Sequence, residues 1–178
     1  MRLHTLRERF NAGEKLKFLP FWKPGPGIGK HIFSQWQEEL PFTEGGITFV
    51  TAEHYMMIGK ARLFGDAPII RKMIATSDPR EVKKLGKQVA NFDEGTWRDH
   101  RYGIVRQGNL LKFRQNEPAL KFLLSTGSKV LVEASPYDDI WGIKLGEGDP
   151  RCFDPNQWQG TNLLGFALMD VREELGGS

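Results

Sequence analysis

The sequence predicts a mainly α, compact fold with a few short β-strands, and three observations predict it. From Thr51 onward the chain repeats one pattern, a capping residue followed by apolar positions at helical spacing. One stretch, Lys129-Val130-Leu131-Val132-Glu133-Ala134, has the β-branched run that strands favour. The 178 residues are 39% hydrophobic and 26% charged, enough to bury one real core.

The elements follow in order. Met1 to Phe10 is charged and amphipathic. Pro20-Phe21-Trp22-Lys23-Pro24-Gly25-Pro26-Gly27-Ile28-Gly29-Lys30 reads as a Pro/Gly loop. Its Gly27-Ile28-Gly29-Lys30 end lacks the spacing of a phosphate-binding loop. Phe33 to Phe42 and Gly46 to Val50 read as short extended pieces. Thr51 caps a helix running to about Phe64. Asp66 caps a second with Pro68 in its first turn, and Asp78-Pro79 opens a third containing Val82, Leu85 and Val89. A long helix is expected over 96–115, a short one from Pro118 to near Gly127, and a last one over 161–175.

Composition excludes several classes. A single cysteine, Cys152, leaves no internal disulfide or Cys-rich zinc site. His4, His31, His54 and His100 have no ligand spacing, so no metal is expected. No Ser-His-Asp order or Gly-x-Ser-x-Gly elbow occurs. The N-terminus lacks the apolar run of a signal peptide, and no later stretch reaches the length of a membrane span, so a cytoplasmic protein without membrane contact is expected. The net charge of +3 is too mild for a DNA-wrapping surface but suits a cleft that attracts phosphates.

Several polar residues sit where a simple core needs none. Glu53 and Lys60 are seven apart, hence on one helical face, beside Met56 and Met57. An amine on an apolar face has its pKa lowered; equally, Glu53 can serve the helix dipole and Lys60 can be a solvated surface lysine. Glu133 ends the strand and is followed by Asp138, Trp141 and Gly142, where Trp141 suits stacking on a planar ring and Gly142 a close backbone approach. Asn162 opens the last helix, as a cap or as a ligand contact. Asn109 and Lys112 on the long helix are candidates for a ribose or phosphate, or belong to a solvated face.

Together these segments resemble the YbiA/NADAR family. The matching stretches are Phe33-Ser34-Gln35-Trp36, Thr51-Ala52-Glu53-His54-Tyr55-Met56-Met57, Gly59-Lys60-Ala61, Phe64-Gly65-Asp66, Lys84-Leu85-Gly86-Lys87, Lys112-Phe113, Glu133-Ala134-Ser135, Asp138 with Trp141-Gly142, and Trp158 through Gly165. Leu168-Met169 and Val171-Arg172 fit as well. The resemblance implies a single YbiA-like helical domain over 1–178, with its core at about 18–175 and 1–17 as an N-terminal extension.

The resemblance also implies hydrolysis of an N-glycosidic bond, without a cofactor. The expected substrate is a ribosylamino-pyrimidine phosphate of the riboflavin pathway. The alternatives are removal of ADP-ribose from guanine in nucleic acid and a non-catalytic module that binds ADP-ribose or NAD. Lys60 maps to the family lysine thought to act covalently, with Glu53 shuttling protons and Asp138 as a second acid. A scheme in which Glu53 and Asp138 direct a water is the other mechanism. Trp22, Ser34, Trp97, Asn109, Lys112, Glu133, Trp141, Gly142 and Asn162 are expected to bind substrate. Where the family often reads Trp-Gly-x-Gly, this chain has Lys144 at the last position, which bears on substrate preference. A monomer or small homo-oligomer is expected, with a small nucleotide-like ligand and, in the alternative reading, ADP-ribosylated nucleic acid as partner.

Overall fold

The structure, a computed structural model, describes residues 2–177. In chain order the elements are α1 (Leu3–Asn11), β1 (Phe18–Phe21), β2 (Phe42–Glu44), β3 (Ile47–Phe49), α2 (Ala52–Leu63), α3 (Ala67–Ile74), α4 (Pro79–Gly86), α5 (Glu94–Gln115), α6 (Glu117–Ser125), β4 (Val130–Glu133) and α7 (Leu163–Gly176), with 3-10 turns at Lys30–Phe33 and Pro150–Phe153. The fold is mainly helical. By contacts the chain divides into a terminal unit, Met1–Ser34 with Pro118–Ser178, and a middle unit, Gln35–Glu117.

In the middle unit, α2 is the core helix. Ala52 through Ile58 are all buried, so it lacks a polar face, and α3, α4 and α5 pack around it. Its start is fixed by Thr51, whose side-chain oxygen accepts the His54 N–H at 3.1 Å. Asp66, Asp78 and Asp93 cap α3, α4 and α5 in the same way, and Asp93 starts α5 two residues earlier than the sequence suggests. Small residues let α5 approach α2: a Cβ on Gly108 would stand 2.6 Å from the Tyr55 ring, and one on Gly59 2.5 Å from Ile104. The hairpin β2–β3 turns through Gly45 and Gly46, both at positive φ, and its Phe42 and Phe49 rings stack at 5.5 Å.

In the terminal unit, β1 runs parallel to β4 with Phe18 opposite Val130 and Phe21 opposite Glu133. The sequence hides β1, because Pro20 within it cannot donate to a ladder; the strand tolerates Pro20 in a sheet of two strands, where β1 is an edge. All four residues of β4 are buried, and α7 packs against it. The expected extended piece from Phe33 to Phe42 is instead a 3-10 turn ending at Phe33 and irregular chain up to β2. The segment expected as an N-terminal extension contains α1, whose Leu6 is fully buried.

Candidate active site

Lys60 lies in the last turn of α2, half-buried. Its Nζ donates to the Gly86 carbonyl at 2.9 Å, at the end of α4. The same Nζ is 4.0 Å from the centre of the Phe92 ring and 5.8 Å from that of Trp97. Burial holds its pKa below the ordinary lysine value, while the charge of Glu94 opposes the shift. The direction of the shift is the one the sequence suggests. The aromatic rings beside the amine are Phe92 and Trp97, and Met57 packs against the same Gly86 that accepts from Lys60, where an added Cβ would meet its Sδ at 2.1 Å.

Glu53 sits in the first turn of α2 and is 5% exposed, so it is not a solvated dipole partner. Its backbone N–H donates to the Gln35 carbonyl at 2.9 Å. Lys60 is seven positions further along the helix, about 10 Å along the axis. Asn109 is fully buried; its Nδ2 donates to the Val105 carbonyl at 2.9 Å and its Oδ1 accepts from Gln35 Nε2 at 3.2 Å. Lys112, also fully buried, has its pKa pushed down to about 7 by burial alone. Neither belongs to a solvated face.

The terminal unit holds the remaining candidates. The Glu133 side chain is buried, and its Oε2 has no hydrogen-bond partner. Burial raises its pKa well above the ordinary carboxylate value, and the charges of Asp138 and Glu147 push it in the same direction. Asp138 is engaged through Oδ1, which accepts the N–H groups of Ile140 and Trp141 at 2.9 and 2.7 Å. Gly142 is tightly held, but by the protein itself: an added Cβ would stand 2.9 Å from the Glu133 carbonyl oxygen and 3.0 Å from that of Asp138. Trp141 is half-buried beside it.

Asn162 is not a side-chain cap of α7; it adopts φ 54° and makes no capping bond. Its amide instead finishes the open edge of β4, with Nδ2 donating to the Leu131 carbonyl at 2.9 Å and Oδ1 accepting the Glu133 N–H at 2.9 Å. Both of its ends are thus committed to backbone. Trp22 lies 6.0 Å from the Tyr137 ring, with Lys23 Nζ 4.5 Å over its own ring, and Ser34 is buried. Lys144 sits at φ 56° and reaches Asp139 at 3.9 Å. Among the described residues no cluster of His, Cys, Asp and Glu could hold a metal.

Sequence reasoning gave no role to Phe92 or to the Gly86 carbonyl. Gly86 acts through its carbonyl, which any residue possesses. Phe92 lies in a loop whose apolar side chain resembles any other on the page of the sequence.

Comparison with known proteins decides the family. The NADAR domain model matches residues 20–176, nearly the whole chain. The chain belongs to the NADAR domain family. An N-glycosidase of Acanthamoeba polyphaga mimivirus is 46% identical over 150 residues, covering 82% of this chain and 88% of that protein. A riboflavin biosynthesis protein of Vibrio vulnificus is 32% identical over 133 residues, covering 75% of this chain but 32% of that longer protein. The NMR structure of Escherichia coli YbiA superposes with a TM-score of 0.72 at 25% identity, covering 90% of this chain and 85% of YbiA. The helical fold is thus the YbiA fold, and this NADAR protein is an enzyme of the hydrolase class that acts on N-glycosyl bonds. No helix among the described residues is long and apolar enough to cross a membrane.

Proposed function

We propose that this NADAR protein hydrolyses the bond between ribose C1 and a nitrogen base in a ribosylamino-pyrimidine phosphate, with Lys60 as the nucleophile. The observation that carries the reading is the setting of Lys60: an amine half removed from water, held by one carbonyl and flanked by two aromatic rings. Such a setting raises the share of neutral amine, the form that attacks carbon. The riboflavin name of the Vibrio relative supports the choice of substrate.

The Lys60 nitrogen bonds to C1, and the C1–N bond to the base breaks with its electron pair leaving on the base, which takes up a proton. The ribosylated lysine loses a proton and its ring C1–O bond opens onto a protonated ring oxygen, leaving an imine. Water adds to that imine, the C–N bond to Lys60 breaks, and free sugar phosphate and the amine return.

Glu53 serves as a proton carrier. Its place two turns from Lys60 suits contact with the substrate rather than direct exchange with Nζ. The molecule acts in the cytoplasm on a small nucleotide-like substrate.

The test is a chromatographic assay of base release from ribosylamino-pyrimidine phosphate, run beside ADP-ribosylated guanine DNA. Release from the first and not the second is the expected result. Release from the second alone would move the assignment to ADP-ribose removal, and tight ADP-ribose binding without release from either would make the protein a binding module.

A further inference from the structure

Phe92 belongs to the loop between α4 and α5 and is 42% exposed. Single exposed phenylalanines are ordinary. This one is unusual in its placement: its ring centre is 4.0 Å from Lys60 Nζ, and Phe64 braces it edge-on at 5.3 Å and 63°. The loop that carries it is anchored on both sides. The Ala90 N–H donates to Asp66 Oδ2 at 2.9 Å, and Asp93 accepts the Thr96 N–H at 2.7 Å. The ring is thus fixed against the amine while much of its surface stays open.

We infer that Phe92 is a specificity-determining residue, the stacking wall for the flat base that leaves as Lys60 attacks. The inference rests on the reading of Lys60 as nucleophile. A nucleophile meets its carbon at about 3 Å, and the departing nitrogen is one bond, about 1.5 Å, further on. The base therefore begins within a few ångströms of Nζ, the same distance at which the Phe92 ring already stands. A planar heteroaromatic ring entering there meets an aromatic face that costs water little to give up. In the resting protein the ring faces the ammonium, an attraction that ends as the neutral amine forms. Trp97, buried and 5.8 Å from Nζ, closes the second side. Gly86 supplies the carbonyl on the third.

The experiment compares wild type with Phe92→Leu, which keeps apolar bulk without a ring, and Phe92→Tyr, which keeps the ring. For each, kcat/KM for ribosylamino-pyrimidine phosphate is divided by the rate of borohydride-trapped adduct formation with ribose 5-phosphate, which has no base. A change in the reactivity of Lys60 itself cancels in this ratio. The expected result is a ratio about tenfold lower in Phe92→Leu, the effect of one base–aromatic stack, and close to wild type in Phe92→Tyr. An unchanged ratio in Phe92→Leu overturns the inference. If wild type neither releases base nor forms an adduct, the reading of Lys60 fails by itself. The wall is then read from quenching of tryptophan fluorescence by uridine monophosphate. Weaker binding in Phe92→Leu alone upholds it, and equal or no binding in all three proteins overturns it.

Discussion

The Glu133 backbone N–H donates to Asn162 Oδ1 at 2.9 Å, while Oε2 of the same Glu133 is buried without a partner. One residue is therefore tied firmly into the scaffold through its backbone and left unsatisfied through its side chain. A buried polar group without a partner costs stability.

Asn162→Ala leaves the Leu131 carbonyl and the Glu133 N–H without partners in a buried place, and removes a residue that tolerates φ 54°. A loss of about 3 kcal/mol is expected, measured by urea unfolding. A loss below about 0.5 kcal/mol would show that the clip to β4 is not structural.

Glu133 gives a pH dependence of known sign. Its pKa is raised in the folded state, so the folded protein holds this proton more tightly than the unfolded chain does. Its contribution is full below the unfolded value near 4.5 and is lost as pH rises through the folded value. Glu133→Gln removes that loss. The variant is expected to be at least as stable as wild type at pH 8 and to show a flatter profile of melting temperature above pH 5. A parallel pair of profiles would count against the buried acid.

His54 acts in the other direction. Its Nε2 is bonded to the Met73 carbonyl at 3.0 Å, its Nδ1 is buried without a partner, and burial lowers its pKa. The unfolded chain thus binds this proton more readily, and stability falls as pH drops below about 6.5. His54→Leu is expected to flatten the slope between pH 6.5 and 5 although it costs stability overall. Unfolding free energies at several pH values check this.

Gly165 is the close-approach point between α7 and β4, where an added Cβ would stand 2.1 Å from the Leu131 carbonyl oxygen. Backbone on both sides cannot swing away as a long side chain would. Gly165→Ala is expected to cost about 1–3 kcal/mol, read from thermal unfolding.

Much of this was legible in the sequence, for reasons that differ by residue. Thr51, Asp66 and Asp78 announce helix starts because capping is a local affair between a side chain and an N–H two or three residues on. Lys60 and Glu133 stand out as charged residues in apolar surroundings, and both are shifted by burial. Strand β1 was not legible, since its partner β4 lies more than a hundred residues away and Pro20 argues locally against a strand. The role of Asn162 was hidden for the same reason: its cap-like position suggests α7, while its bonds go to β4. Phe92 was hidden because its meaning depends on the amine it faces.

The most direct test of the central claim is mass spectrometry of the protein incubated with ribosylamino-pyrimidine phosphate and borohydride, since only an imine is reduced and fixed. The account predicts released base together with a sugar-phosphate adduct on Lys60, and loss of both in Lys60→Ala. Released base with no adduct on Lys60 would contradict it and return the chemistry to carboxylates and water.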